Sequence, residues 1–245
     1  MLETKGLTFS VDTPEGKKNI LSDVSITLPD DRFIAVTGPN GSGKSTLAKL
    51  IAGIEKPTGG SVLLNGTDIT DFSVTEHARA GIGFAFQQPV HFKGIRVIDL
   101  LRIASGNEKL TVNEACEALS EVGLCARDYV NREINASLSG GEMKRIEIAS
   151  VLMRNALVTI FDEPEAGIDL WSFQNLISVF RRMRERAKGT ILVISHQERI
   201  LSIADEIIVV DSGRVGAKGP GSEILPKLLQ TGTAAVSCQK AGGES

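Results

Sequence analysis

The spacing of apolar and polar residues predicts a β-rich start to the chain. Val24, Ile26 and Leu28 alternate with polar residues, and this period of two predicts a half-buried strand. A mostly apolar run from Phe33 to Thr37 ends at a glycine, and apolar residues at helical spacing follow over positions 47–54. We therefore expect a strand, then a loop, then a helix.

The second half of the chain shows two patterns. Few strand-like runs interrupt residues 97–156, where Thr111 and Glu114 have the spacing of a capping box at a helix start. Beyond them, apolar runs alternate with helical stretches, at 157–161, 190–194 and 206–210. This alternation predicts a parallel sheet and an α/β fold. Glycine, proline and serine over 216–222 predict a loop.

Composition and charge narrow the class of protein. The 245 residues are 42% hydrophobic and 23% charged, as in an ordinary globular protein. A net charge of −3 offers no basic face, so no nucleic acid partner is expected. The apolar runs fall short of the roughly 20 residues that span a bilayer, and no secretory signal pattern opens the chain. We therefore predict a cytoplasmic protein without direct membrane insertion. The three cysteines show no metal-site or disulfide spacing.

A glycine-rich segment lies between the first predicted core strand and the helix. It matches the P-loop pattern and consists of Gly38, Pro39, Asn40, Gly41, Ser42, Gly43, Lys44, Ser45 and Thr46. Glycines let successive backbone N–H groups converge on phosphate oxygens, and the helix adds the positive end of its dipole. We expect Lys44 to reach the outer phosphates, Ser45 to ligate Mg²⁺ and Thr46 to contact the inner phosphates. The segment predicts a site for ATP and Mg²⁺.

Two carboxylates follow the apolar run that begins at Val158. Asp162 and Glu163 stand at the carboxyl end of this predicted strand, where open parallel sheets bind ligands. We expect Asp162 to hold Mg²⁺ and Glu163 to act as the general base that orients the attacking water. An Asp-Glu pair after a strand is weak evidence alone, but beside a P-loop it predicts an ATPase.

A second glycine-rich helix start follows Leu138. Ser139 and Glu142 have the spacing of a capping box, and Gly140 and Gly141 leave an open helix mouth that suits a phosphate. Because the chain already has one phosphate site, the second one suggests an arrangement of two chains.

With this Leu-Ser-Gly-Gly-Glu signature, the sequence resembles the ABC ATPases over nearly its whole length. The resemblance implies a P-loop NTPase fold with a mainly parallel core sheet, an N-terminal antiparallel β subdomain and an inserted helical subdomain. It also implies that a second copy of the chain closes head to tail in an ATP-bound dimer, with Ser139, Gly140 and Gly141 acting in trans. We expect one domain over 1–245, arranged as a catalytic core (1–87 and 157–230), a helical subdomain (88–156) and a flexible tail (231–245).

Further positions match the family pattern. By resemblance, Gln87 is the Q-loop glutamine that senses Mg²⁺ and links the site to the helical subdomain. Residues 167–169 correspond to the D-loop. His196 corresponds to the switch histidine, which contacts the γ-phosphate. His77 and His91 have no such placement and are expected on the surface.

The adenine site departs from the family pattern. Many ABC ATPases stack adenine on an aromatic residue near the end of the first strand, where this chain has Val11. Phe9 lies two residues earlier, on the same strand face, and is a candidate substitute. We expect weak recognition of the base.

Two partner classes remain open. Segments 84–90, 141–145, 165–169 and 195–201 resemble the Suf-type iron-sulfur cluster assembly ATPase (SufC), whose partner is a SufB-type scaffold protein. The alternative is the energy subunit of a membrane transporter, whose partner is the transporter membrane subunit. In both cases the docking groove is expected at 88–96 and the helical subdomain. Phe92 and Ile95 are candidate exposed contacts there, although both equally suit an ordinary core.

Overall fold

The fold is an α/β arrangement, seen here in a computed structural model that describes residues 1–14, 16–88, 94–135, 137–186 and 189–240. The strands are β1 (Leu2–Thr13), β2 (Gly16–Leu28), β3 (Phe33–Thr37), β4 (Gly59–Leu64), β5 (Thr67–Asp68), β6 (Ile82–Ala85), β7 (Val158–Asp162), β8 (Thr190–Ile194), β9 (Glu206–Asp211) and β10 (Arg214–Pro220). The helices are α1 (Lys44–Ile51), α2 (Val74–Ala80), α3 (Val97–Ser105), α4 (Val112–Glu121), α5 (Ala126–Tyr129), α6 (Gly140–Met153), α7 (Leu170–Arg186), α8 (Glu198–Leu201) and α9 (Gly221–Lys240).

The core sheet has the order β10-β9-β3-β8-β7-β6. Strands β9, β3, β8, β7 and β6 run parallel, and β10 pairs antiparallel with β9 at one edge. Every residue of β3, β7 and β8 is buried, as expected of a parallel sheet that is covered on both faces. The predicted parallel core sheet is confirmed, and β3, β7 and β8 end at the same edge.

A second, antiparallel sheet has the order β2-β1-β4-β5 and covers one side of the core sheet. In β2, Val24, Ile26 and Leu28 are buried, which confirms the strand predicted from their alternation. They join a hydrophobic cluster that also contains Leu47 of α1 and Ile34 of β3. The antiparallel sheet and α1 are thereby packed against one face of the core sheet.

The helices α3 to α6 follow β6 and precede β7 in the sequence, and they pack on one another. Helix α6 contacts α3, α4 and β6. Thr111 and Glu114 form the predicted capping box at the start of α4. The helices share a core with the other face of the parallel sheet, where Leu101 and Ile148 join a cluster containing Phe33. This arrangement places the inserted helices next to the edge strand β6.

One sequence prediction about the C-terminal region is wrong. The loop predicted at 216–222 is largely strand β10, because pairing with β9 satisfies its backbone and a bulge between Val215 and Ala217 absorbs Gly216. The flexible tail over 231–245 stays a prediction; helix α9 continues to Lys240, and residues 241–245 lie outside the described residues. Among the residues that the structure describes, no helix combines the length and the apolar composition needed to cross a membrane.

His77 is also misplaced by the sequence prediction, because it is 1% exposed rather than on the surface. Its Nδ1 lies 3.1 Å from the carbonyl oxygen of Ser73, and its ring meets Phe72 edge to face. A Cβ at Gly53 would lie 2.3 Å from this Nδ1, so the glycine makes the room that the ring occupies. Burial lowers the pKa of His77. His91 lies outside the described residues.

Candidate functional site

The glycine-rich segment forms a tight loop between β3 and α1, as its sequence predicts. Gly38 has φ 138°, and a Cβ there would lie 1.9 Å from the carbonyl oxygen of Val210. Gly43 is the N-cap of α1 with φ 99°, and a Cβ there would lie 2.6 Å from Cδ2 of Leu21. Because a glycine N-cap brings no side-chain acceptor, the first N–H groups of α1 are left for a ligand.

Two polar side chains inside the loop support a phosphate ligand. Lys44 bends back over the loop, and its Nζ donates to the carbonyl oxygens of Gly38 at 2.9 Å and Pro39 at 2.8 Å. Burial lowers the pKa of Lys44, while Glu163 and Asp162 act in the opposite direction. Ser42 is 4% exposed, and its Oγ has no hydrogen-bond partner within the described residues. A buried hydroxyl in this position fits a phosphate oxygen.

Two of the three residues predicted at the Mg²⁺ site, Ser45 and Asp162, lie together, whereas Gln87 contacts Glu163. Ser45 Oγ of α1 donates to Oδ1 of Asp162 at 2.9 Å, which joins the start of α1 to the end of β7. Burial raises the pKa of Asp162, and the hydrogen bond from Ser45 opposes that shift. A hydroxyl and a carboxylate side by side are the hard oxygen ligands that Mg²⁺ prefers beside a nucleotide. The donor set therefore fits this metal.

Gln87 and His196 both approach Glu163. Gln87 Nε2 donates to Oε2 of Glu163 at 2.8 Å, and His196 Nε2 lies 3.9 Å from Oε1, beyond hydrogen-bond range. Glu163 has φ 43°, a left-handed conformation, and its N–H donates to Ile194 of β8 at 3.1 Å. Burial and nearby Lys44 lower the pKa of His196, while Glu163 acts in the opposite direction. The residues expected to be catalytic thus meet at one sheet edge.

Glu165 is a buried carboxyl at this edge that the sequence prediction missed. Ser195 Oγ donates to its Oε1 at 2.5 Å, and the N–H of Gln197 donates to Ser195 Oγ at 3.0 Å. Burial raises the pKa of Glu165. Glu165 therefore holds the segment on which His196 stands. The available signal was a third acidic residue within four positions of Asp162.

The signature segment belongs to a different packing unit from the phosphate loop. Ser139 is the N-cap of α6, which packs against α3, α4 and β6, whereas α1 packs against β2 and β7. Ser139 and Gly140 are exposed, and a Cβ at Gly140 would lie 3.7 Å from the carbonyl oxygen of Gly167. The structure thus brings the signature next to the predicted D-loop of the same chain.

An apolar groove lies between β6 and the helices α3 and α6. Its lining includes Phe84, Phe86, Leu100, Ile103, Met143 and Glu147. Phe86 is 40% and Ile103 is 69% exposed, so these are the most accessible of the apolar side chains named here. Of the two positions left open for Ile95, the structure favours the core, because Ile95 is partly buried and packs against the larger core cluster. Phe92 lies outside the described residues.

Comparisons with known proteins identify the family. A family model described as ABC transporter matches residues 21–166. An uncharacterised ABC transporter ATP-binding protein of Methanocaldococcus jannaschii is 38% identical, covering 85% of this chain and 86% of that protein. The energy-coupling factor transporter ATP-binding protein EcfA of Methanoculleus marisnigri is 36% identical, covering 94% of this chain and 83% of that protein.

The fold comparison agrees with the sequence comparison. A dimeric post-hydrolysis ATP-binding cassette bound to ADP and Pi matches with a TM-score of 0.80 and 25% identity, covering 90% of this chain and 98% of that chain. The chain therefore belongs to the ABC transporter family, has the ABC ATPase fold, and is an ATPase that uses ATP and Mg²⁺.

Proposed function

We propose that this chain is the ATP-binding energy subunit of a membrane ABC transporter and works on the cytoplasmic side as a dimer. The observation that carries the ATPase part is the meeting of Ser45 with Asp162 and of Gln87 with Glu163 at one sheet edge. The transporter part is supported by the EcfA relative, which is named as an energy-coupling factor transporter ATP-binding protein.

In this proposal each group at the sheet edge has one task. The phosphate loop and Lys44 bind the outer phosphates of ATP. Ser45, Asp162 and Gln87 would hold Mg²⁺, which when bound would supply positive charge beside the phosphates. Glu163 orients and deprotonates the attacking water. An N–H of His196 donates a hydrogen bond to the γ-phosphate.

The signature acts on the ATP of the partner subunit. Ser139 and Gly140 are exposed, and the N–H groups of Gly140 and Gly141 lie at the N-terminal end of α6. A second chain can present the phosphates of its bound ATP there. ATP is then bound between two chains, and closing of the dimer depends on nucleotide because the phosphates bridge the interface.

The membrane subunit is proposed to dock in the apolar groove between β6 and α3. Phe86 and Ile103 supply accessible apolar surface, and Phe86 directly precedes Gln87. A partner segment in this groove would therefore act next to a residue that contacts Glu163. Closing and opening of the dimer would move the groove and with it the partner.

A second candidate function is ATP-driven remodelling of a SufB-type scaffold during iron-sulfur cluster assembly. It is supported by the resemblance of segments 84–90, 141–145, 165–169 and 195–201 to SufC, which extends beyond the shared ABC ATPase positions that these segments contain. The ATPase chemistry is the same in both candidates, and only the partner differs. In this candidate the cluster sits on the scaffold.

Glu163→Gln tests the ATPase mechanism. Because the amide keeps the shape of the side chain but accepts no proton, hydrolysis is expected to fall by at least about a hundredfold while ATP binding is retained. ATP-bound dimers should then accumulate, as measured by size-exclusion chromatography with light scattering. Glu108→Gln, at an exposed position, is the matched control and should leave both readouts unchanged. An unchanged hydrolysis rate in Glu163→Gln would show that Glu163 is not the general base.

Copurification tests the partner. The chain is captured from its own cells, separately from soluble and detergent-solubilised membrane fractions, and bound proteins are identified by mass spectrometry. An integral membrane partner lost on Ile103→Glu would support the transporter and its groove. A soluble partner that binds iron and sulfide on reconstitution would instead support the scaffold and overturn the transporter assignment.

A further inference from the structure

Helix α6 contains a buried cation that the proposed mechanism does not use. The side chain of Lys144 is 1% exposed and lies 2.9 Å from Oε2 of Glu147, one helical turn later. Its Nζ also donates a hydrogen bond to the carbonyl oxygen of Phe86. Burying an ammonium group is costly unless it is paired and hydrogen-bonded, so both contacts are needed to keep Lys144 in this position.

Glu147 binds the backbone N–H of Phe86, the residue whose carbonyl oxygen Lys144 contacts. The N–H of Phe86 donates to Oε1 of Glu147 at 2.9 Å, while Oε2 faces Lys144. One ion pair on one helix therefore grips both backbone polar groups of Phe86. We name this pair, Lys144 and Glu147, the Phe86 clamp.

The Phe86 clamp contacts the chain just after the end of strand β6. The last residue of β6 is Ala85, which pairs with Phe161, so Phe86 and Gln87 lie beyond the ladder. Lys144 Nζ is 3.5 Å from the carbonyl oxygen of Gln87 as well. Backbone groups that would be fixed by a neighbouring strand are fixed here by two side chains of α6.

The next link leads to the reacting end of the site. Gln87 Nε2 donates to Oε2 of Glu163 at 2.8 Å, so the position of Glu163 depends on that of Gln87. Glu163 has the left-handed φ of 43°, a conformation that persists only where its surroundings hold it. Hydrogen bonds and an ion pair thus run from α6 through Phe86 and Gln87 to Glu163.

We propose that Lys144 and Glu147 are positioning residues for ATP hydrolysis, which hold the backbone of Phe86 from both sides and so fix Gln87 against Glu163. The proposal rests on the role assigned to Glu163 under the proposed function. Phe86 and Glu147 also line the apolar groove, so the Phe86 clamp lies between the proposed docking surface and the nucleotide site.

The test is a double variant, Lys144→Met with Glu147→Gln. It buries no unpaired charge, and the amide oxygen at 147 still accepts from Phe86, so the chain is expected to fold. With the ammonium donor lost, kcat should fall between about tenfold and a hundredfold, the size expected for a misplaced catalytic group. The KM for ATP should stay within about twofold, because the phosphate loop is untouched.

Gln87→Ala separates positioning from general damage. If the Phe86 clamp works through Gln87, adding the double variant to Gln87→Ala should lower kcat no further, whereas independent effects multiply. Multiplied losses, or an unchanged kcat in the double variant, would overturn the proposal. Should the double variant melt early, Lys144→Gln with Glu147→Gln, which also leaves no buried charge and keeps polar side chains at both positions, is compared in the same two backgrounds, and the same two outcomes decide.

A matched ion pair serves as the control. Lys218 Nζ lies 3.1 Å from Oε1 of Glu206, between β9 and β10, so Lys218→Met with Glu206→Gln makes the same chemical change elsewhere. That variant should keep kcat. Retained hydrolysis in Glu163→Gln would count against the proposed function. That rate is measured separately from the rates of the Lys144 and Glu147 variants, so the two failures can be told apart.

Discussion

Two helices of this protein begin at glycine-rich segments, and their N-terminal ends are capped in opposite ways. Helix α1 begins after Gly43, a left-handed N-cap with φ 99° and no side chain. Helix α6 begins after Ser139, which has φ −64° and accepts from the N–H of Glu142 at 3.3 Å. The N–H of Ser139 donates in return to Glu142 Oε2 at 2.7 Å. The first end leaves its donors to a ligand, and the second satisfies part of its donors itself.

The difference explains how the two ends are stabilised. Tyr129 donates its hydroxyl to Glu142, which lowers the pKa of that carboxyl and keeps it charged at the positive end of α6. The signature end is therefore formed before any phosphate arrives. The phosphate loop instead depends on backbone conformations that only glycine adopts without strain. A substitution should therefore affect ligand binding at one end and helix stability at the other.

The largest effect is expected at the open end, from Gly43→Ala. The φ of 99° is unfavourable for alanine, and the new Cβ would lie 2.6 Å from Leu21 Cδ2 and 2.9 Å from the carbonyl oxygen of Ile20. The cost of about 3 kcal/mol corresponds to roughly a hundredfold weaker ATP binding, measurable by calorimetry or fluorescent nucleotide titration.

Gly66→Ala is the control for backbone strain alone. Gly66 has φ 79° in the turn between β4 and β5, and no atom lies within 4 Å of a Cβ placed there. This variant should lose stability but keep its ATP affinity. Equal losses of affinity in both variants would show that the phosphate loop has no special dependence on its glycine.

A smaller effect is expected at the capped end, from Ser139→Ala. Loss of the cap should lower the free energy of unfolding by about 1 kcal/mol. Hydrolysis should also fall by roughly tenfold or more, because a hydrogen bond to a charged group is worth about 1.5–3 kcal/mol and the hydroxyl is proposed to contact the partner's ATP. ATP binding to the single chain should not change.

Ser73→Ala separates these two losses. Ser73 and Glu76 form a capping box at the start of α2 with the same two distances, 3.3 Å and 2.7 Å. This variant should lose similar stability, as measured by thermal unfolding, and keep its hydrolysis rate. A normal rate in Ser139→Ala would mean that the signature serves only as a helix cap.

The sequence could predict features that depend on neighbouring residues, but not contacts between distant ones. The phosphate loop and the capping boxes at Thr111 and Ser139 depend on residues within a few positions of one another, so local patterns were sufficient to predict them. The parallel sheet followed from alternating elements, and it brought Asp162 to Ser45. Local spacing carried no information about which distant backbone group a side chain meets. Lys144 and Glu147 form an ordinary i,i+3 pair, and only the fold shows that Phe86 lies between them.

Non-local pairing also explains the wrong predictions. Residues 216–222 have a loop-like composition, but the edge of the sheet at β9 provides a partner for their backbone. His77 is buried because Gly53, distant in sequence, leaves space for its ring. Ile95, for which exposed and core positions were both left open, is partly buried, and its carbonyl oxygen accepts from the N–H of Ile134 at 2.9 Å, which ties it to the helical region.

The smallest effect is expected at the adenine base, beside the open end of α1. Phe9 pairs with Leu21 and packs against the core, so its ring is already engaged, and Val11 opposite Lys18 offers no aromatic face. Binding should therefore depend on the phosphates, and ATP and GTP should differ in dissociation constant by less than about fivefold, since an aromatic contact is worth about 0.5–1.5 kcal/mol.

Val11→Tyr turns this expectation into a measurement. A ring at position 11 should strengthen ATP binding about three- to tenfold, the equivalent of one aromatic contact. Asp12→Tyr places the same ring on the opposite strand face and should give no gain. A strong preference of the unmodified chain for ATP over GTP would mean that another side chain already recognises the base, and that the open end of α1 does not by itself account for nucleotide binding.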